Sequence, residues 1–182
     1  NFYNLMGIAR KNQKKFAEAI DCYNKTIELR TDMNDSMGLA GINHNLANVY
    51  RGIFEYEPSM EHYAKALSIN EAIGNKKWII NNYTGIGILY KVQEDYEHAL
   101  IYYRKAVDLC NEIEYPRGLV FAYGNIANVY KKQNKFTEAL DYQEKALEIC
   151  EQINMRFRIP SVLRGIGRVK EQLNLNTEAK QD

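Results

Sequence analysis

His44, His62, His98, Cys22, Cys110 and Cys150 are the side chains of this chain best suited to ligating a metal or to thiolate and proton-transfer chemistry. Their spacing does not support either. No Cys-x-x-Cys pair occurs, and the histidines have no cysteine or carboxylate partner at ligand spacing, so no metal is expected. Cys110 and Cys150 fall at the same place in a recurring sequence pattern and read as small apolar packing residues. The segment Tyr83-Thr84-Gly85-Ile86-Gly87 has two glycines, but they lie inside a helical stripe, whereas a phosphate-cradling loop needs them at a strand-to-helix turn. With no nucleophile elbow and no paired catalytic carboxylates, neither an enzyme active site nor a cofactor is expected. What remains is recognition of anions, because the cations Lys11, Arg51, Lys91 and Lys131 recur at one constant step.

The chain as a whole is nearly neutral, with 24 basic against 23 acidic residues and a formal net charge of +1. Nucleic acid and anionic membrane surfaces are held by a basic excess, so neither partner is expected. No apolar run reaches the roughly 18 to 20 residues of a membrane helix, and no charged-then-apolar leader opens the chain. Those features point to a soluble segment. Three cysteines without a pairing pattern suit a reducing, cytoplasmic setting.

The elements that carry these residues are written in a repeat. Asn45-Leu46-Ala47-Asn48-Val49-Tyr50 returns as Gly85-Ile86-Gly87-Ile88-Leu89-Tyr90, as Asn125-Ile126-Ala127-Asn128-Val129-Tyr130, and more faintly as Gly165-Ile166-Gly167-Arg168-Val169-Lys170, each 40 positions after the last. A fixed period in this range marks a stacked array. Within one period, Leu39, Ile42, Leu46, Val49, Tyr50 and Ile53 form one helical stripe, and Tyr56, Met60, Tyr63, Ala64, Leu67 and Ile73 form a second. Short polar links such as 91–95 and 131–135 join them, so the paired helices run antiparallel. Small residues recur in the columns Ala19, Ser59, Ala99, Ala139, Ala179 and Gly7, Ala47, Gly87, Ala127, Gly167, where helices would approach most closely. Aromatic columns accompany them: Phe16, Tyr56, Tyr96, Phe136 and Tyr23, Tyr63, Tyr103.

These columns resemble the tetratricopeptide repeat family, with a Leu-Gly-x-x-Tyr element on the first helix and Ala-x-x-x-Tyr/Phe-x-x-Ala on the second. The resemblance covers essentially the whole chain. It departs from the family in a tryptophan column that reads Tyr3, Asn43, Tyr83, Tyr123 and Leu163, and in a missing proline after the second helix, where Glu71, Asn111 and Glu151 stand. The longer unit is similar to the 40-residue variety of bacterial sensor and regulator proteins and of the Pins/LGN class of polarity scaffolds. The resemblance implies an all-α, right-handed superhelix of antiparallel helix pairs, divided as 1–34, 35–74, 75–114, 115–154 and a partial unit 155–182. The abrupt start at Asn1 and the segment Thr177-Glu178-Ala179-Lys180, read as the opening of a fifth second helix, suggest a fragment of a longer protein whose uncapped ends could associate. Pro116 suits a first helical turn, Pro160 delays the start of the last first-helix, and Pro58 with Ser59 makes the second unit the least regular.

The resemblance further implies a concave surface lined by the first helices. Its columns carry over to His44, Thr84, Gly124 and Arg164; to Asn48, Ile88, Asn128 and Arg168; and to Lys11, Arg51, Lys91 and Lys131. The basic set reads either as a ladder for an acidic peptide or as cations that complement the helix macrodipole in the last turn. Arg164 and Arg168, one turn apart, add two charges at one end, or form a solvated face. Asn45 with Asn48 and Asn125 with Asn128 resemble asparagines that contact extended peptides in the polarity scaffolds, although each could equally bridge adjacent helices. The family's carboxylate clamp is not reproduced, since His44 and Gly85 replace a lysine and an asparagine. The functional expectation is a non-enzymatic module that binds a protein or peptide segment, acidic in character, through His44, Asn48, Arg51, Thr84, Lys91, Asn125, Asn128, Lys131, Arg164 and Arg168. The rival expectations are a structural or oligomerising repeat, and the sensory region of a bacterial histidine kinase or transcription regulator.

Overall fold

The two amphipathic stripes of each period fold as two helices. The computed structural model of the protein describes residues 2–178, and among these the regular elements are α1 (Phe2–Asn12), α2 (Phe16–Asp32), α3 (Ser36–Gly52), α4 (Tyr56–Ala72), α5 (Lys76–Val92), α6 (Tyr96–Glu112), α7 (Pro116–Lys132), α8 (Phe136–Gln152) and α9 (Ile159–Glu178). The fold class is the all-α helical repeat that the columns imply. From α2 to α8 each helix has 17 residues, and their starts are evenly spaced, two helices to each sequence period. The backbone therefore repeats at half the period of the side chains.

One turn device explains this. Lys14, Asn34, Phe54, Gly74, Glu94, Glu114, Asn134 and Asn154 all lie in the left-handed region, with φ between 49° and 67°. The residue after each donates its N–H back to a carbonyl five residues earlier, as in Lys15 to Arg10, Glu55 to Tyr50, Tyr115 to Cys110 and Met155 to Cys150. That is the Schellman closure, which satisfies carbonyls left open at a helix end. Starts are set by sequence as well: Asp35 Oδ1 accepts from Gly38 N at 2.8 Å, Asp95 Oδ1 accepts from His98 N at 3.1 Å, and Pro116 occupies the first turn of α7.

The chain divides into two compact units, one ending at Leu89 and one beginning at Tyr90. In the first, α1 packs on α2, α2 on α3 and α3 on α4; in the second, α6 packs on α7, α7 on α8 and α8 on α9. The first core gathers Ala19, Tyr23, Ile42, Leu46 and Val49. The second gathers Val120, Ala146, Cys150, Met155, Val162 and Ile166. The small columns Ala19, Ser59, Ala99, Ala139 and Thr26, Ala66, Ala106, Ala146 are buried throughout. The two hydroxyls in these columns are satisfied: Ser59 donates to the Ala47 carbonyl at 2.9 Å and Thr26 to the Cys22 carbonyl at 2.9 Å. The cysteines are buried too, and burial pushes the Cys110 thiol up to about 11.

Glycine is required at one close approach in particular. A Cβ on Gly85 would lie 2.5 Å from Cε1 of Tyr63. Gly85→Ala is therefore expected to destabilise the protein by about 1 to 3 kcal/mol through overpacking, although alanine is intrinsically the better helix former. A urea midpoint equal to or above that of the parent would show that this approach is not limiting.

Three expectations are corrected. Gly167 does not continue the packing column: it is exposed, a Cβ there would meet nothing within 4 Å, and among the described residues no helix follows α9 to pack on it. The fifth second helix does not open at Thr177, because α9 runs unbroken to Glu178; Ala179 and Lys180 lie outside the described residues. The aromatic that opens earlier second helices, as Phe16, Tyr56, Tyr96 and Phe136, is replaced by Asn176, and Leu175 stands where Asp95 caps α6. The cap and the aromatic that start earlier second helices are therefore missing at these positions. Pro58 and Ser59 leave α4 as long as its neighbours, since proline is tolerated within the first turn. The delayed start foreseen from Pro160 is observed: α9 begins at Ile159, after a turn at 156–158.

Candidate functional site

In the first unit His44, Asn48 and Thr84 of the first-helix face are engaged within the fold. Asn48 Nδ2 donates to the His44 carbonyl at 2.9 Å, and its Oδ1 accepts from the Tyr63 hydroxyl at 2.9 Å. Thus Asn48 bridges α3 to α4. His44 Nδ1 lies 2.7 Å from Asn82 Oδ1, so Nδ1 carries the proton and donates. The imidazole meets Tyr63 and Trp78 edge-on, each with ring centroids 5.4 Å apart. The Thr84 hydroxyl donates to the Ile80 carbonyl at 2.8 Å. Arg51 Nη1 is buried and has no hydrogen-bond partner among the described residues.

Burial holds the His44 imidazole below its usual 6.5, partly opposed by the Asn82 hydrogen bond and reinforced by Arg51 and Lys11. A histidine whose folded pKa is depressed binds protons more weakly when folded than unfolded. Stability it supports is complete above 6.5 and is lost as pH falls from there through the folded value. Lowering pH below 6.5 should therefore lower the melting temperature, with a smaller drop in His44→Gln. Trp78, the single tryptophan, gives a local fluorescence signal for the titration; an identical pH dependence in the variant would remove His44 from the account.

In the second unit the expected residues converge. A cavity of about 330 Å³ is lined by Asn125, Asn128 and Lys131 of α7, by Ser161, Arg164 and Arg168 of α9, by Arg158 in the turn before α9, and by Gln143 of α8, with Phe121 and Gly124 also on its wall. The α7 residues 121, 124, 128 and 131 recur three or four apart, as one helix face requires. Asn128 and Lys131 also line an adjoining space of about 350 Å³, which Lys91, Val92, Glu94, Tyr96 and Lys132 complete. Among the described residues four cations, Lys131, Arg158, Arg164 and Arg168, line the first cavity, and no aspartate or glutamate does.

A substitution within the repeat accounts for this opening. Gln143 stands two periods after Tyr63, as Asn128 does after Asn48 and Gly165 after Gly85. In the earlier set the tyrosine ring lies against glycine and its hydroxyl reaches the asparagine. In the later set Gln143, 9% exposed, lays its amide 3.1 Å from where a Gly165 Cβ would be, and the shorter side chain leaves room beside Asn128. Gln143, Arg158 and Phe121 are absent from the sequence-derived set. A break in the tyrosine column was the available signal for Gln143. Arg158 precedes the delayed α9 and so falls outside the repeat register; its guanidinium sits 4.7 Å over the Phe121 ring, while its Nε is buried without a partner among the described residues.

The varied column Cys22, His62, Tyr102, Tyr142 has a packing role. His62 stacks on Tyr50 at 5.4 Å, Tyr102 on Tyr90 at 5.6 Å and Tyr142 on Tyr130 at 5.7 Å. Among the described residues no cluster of metal-binding side chains occurs, and no helix is long and apolar enough to cross a membrane.

Comparison with known proteins agrees with this architecture. One tetratricopeptide repeat model matches residues 1–72 and 38–112, and a second such model matches 122–154. No curated protein matches the sequence significantly. Among solved structures, aspartyl phosphate phosphatase F from Bacillus subtilis is similar with a TM-score of 0.88 and 17% identity, over 99% of this chain and 47% of that one. The apo form of RapI gives 0.82 and 20% identity, over 97% and 65%. A Rap protein complexed with Competence and Sporulation Factor gives 0.79 and 22% identity, over 99% and 50%. The chain thus spans about half to two thirds of the length of these structures, and at such identities the likeness concerns the fold.

Proposed function

The chain belongs to the tetratricopeptide repeat family, a repeat fold used for protein interaction, and on that premise we propose that residues 90–182 bind an extended acidic segment of another protein along the first-helix face. The observation that carries this reading is the cavity between α7 and α9, lined among the described residues by four cations and no carboxylate. Positive charge gathered on one face attracts acidic chains and gives them orientation. Asn125 and Asn128, on the same wall, supply amides for the backbone of such a segment. The module is non-enzymatic in this reading and serves a regulatory parent protein. A Rap protein of similar fold binds Competence and Sporulation Factor, which is compatible with a binding role for this chain.

A fluorescein-labelled decapeptide rich in glutamate, compared with its glutamine counterpart by fluorescence anisotropy, tests the proposal. The glutamate peptide should bind and the glutamine peptide should not, and binding should weaken as salt rises from about 0.05 to 0.5 M because added ions screen exposed charges. Equal binding of both peptides would overturn it.

A second reading, self-association, is favoured by the apolar residues around α1 and α2. Phe2 is 70% exposed and Met33 74%, and with Tyr3 and Leu29 they line a cavity of about 430 Å³. Light scattering at increasing concentration would show a dimer that Phe2→Ser with Met33→Ser abolishes; a monomer throughout would dismiss this reading.

A further inference from the structure

Four cations in one cavity exceed what a single carboxylate neutralises. A carboxylate brings one negative charge and two oxygens, whereas a phosphoryl group on a side chain brings about −1.5 to −2 and three strong acceptors at one point. The donors here come from three places: Lys131 lies in the last turn of α7, Arg158 stands before α9, and Arg164 with Arg168 lies along α9. Converging donors suit a tetrahedral group better than a planar one. Three of the four are arginines, whose fixed fork matches phosphate oxygens two at a time. Arg158 is the most constrained, since its guanidinium is held over Phe121 and its buried Nε has no partner among the described residues. An unmet buried donor is costly, and an oxyanion drawn against that guanidinium would relieve it.

We propose that the α7–α9 cavity is a receptor for a phosphoryl group carried on a side chain of the bound segment, which makes recognition dependent on phosphorylation. This rests on the acidic-segment reading and adds to it a preference for one charged group. The side chain that creates the cavity is Gln143, and a tyrosine there would restore the arrangement that Tyr63, Asn48 and Gly85 adopt in the first unit.

The test uses the full chain and three labelled peptides identical except for a central phosphoserine, glutamate or serine, with inorganic phosphate as a separate titrant. Binding is read by anisotropy and by the arginine Nε–H resonances in NMR. The phosphoserine peptide should bind at least tenfold tighter than the glutamate peptide, with the serine peptide weakest, and it should shift the Nε–H signals of Arg158, Arg164 and Arg168. Arg158→Lys, which keeps the charge and removes the fork, should lose about tenfold for the phosphoserine peptide and little for the glutamate-rich decapeptide. Gln143→Tyr should bring the phosphoserine peptide to the level of the serine peptide, with helical circular dichroism and melting checked in both variants. If the decapeptide binds but phosphoserine gives no advantage over glutamate, the inference fails and the acidic-segment reading stands. If neither binds, both fall. Saturation of the same signals by inorganic phosphate at the concentration that suffices for the peptide would make this a site for free anions and overturn the peptide-borne assignment.

Discussion

Tyr63→Ala is expected to lower the unfolding free energy by about 3 to 5 kcal/mol, the range for removing a large buried ring. Tyr63 is completely buried, its ring lies against Gly85 and meets His44 edge-on, and its hydroxyl donates to Asn48. Truncation leaves a cavity where three elements meet, and glycine opposite it cannot fill the space. Tyr63→Phe isolates the polar share: it keeps the ring and leaves the Asn48 oxygen without its donor, at about 1 to 3 kcal/mol. Urea unfolding of both variants separates the two contributions. A loss below about 1 kcal/mol for the alanine variant would mean that the site collapses around the deletion, contrary to the tight packing that the glycine implies.

Arg164→Glu combined with Arg168→Glu should weaken the glutamate-rich decapeptide about ten- to hundredfold while leaving the fold intact. Both arginines are exposed, so their pairing with a ligand is discounted for solvent, and a combined effect of about 1.4 to 2.8 kcal/mol is the reasonable scale. Away from special features, exposed substitutions change stability by only about 0.5 kcal/mol, so the melting temperature serves as the control. A matched double reversal elsewhere, Lys76→Glu with Lys105→Glu, both exposed, should change binding little. If that variant weakens the decapeptide as much as the arginine pair does, the attraction belongs to overall charge and the cavity is not its source.

Much of the scaffold was legible because packing writes itself into side-chain columns. Ala19, Ser59, Ala99 and Ala139 sit where helices meet, and the small size demanded there is visible residue by residue. The links were not legible in the same way. Lys14, Phe54, Gly74 and Glu114 have no common chemistry, and what they share is a backbone conformation enforced by hydrogen bonds between main-chain atoms. The first-helix face divides similarly. Repetition placed Asn48 and Asn128 in equivalent positions, yet one is consumed by Tyr63 and the other borders a cavity. Their difference depends on position 143, on another helix, where the tyrosine column stops. Arg158 was invisible to the repeat because the turn at 156–158 shifts it out of register.

The packing of helices on their neighbours in sequence within each unit, α1 to α4 in the first and α6 to α9 in the second, has a kinetic consequence. Native contacts that join adjacent helices close short loops, so the entropy lost before a contact forms is small, and chains with such local contacts refold fastest, on the microsecond to millisecond scale. The same locality lets helices open in groups without the whole chain unfolding, with a free energy that differs along the sequence. A ligand held between α7 and α9 would stabilise those helices and the α8 between them in preference to α1 and α2. Amide exchange should then slow in one stretch of the chain and remain unchanged in the other, recording where the partner sits even before its identity is known.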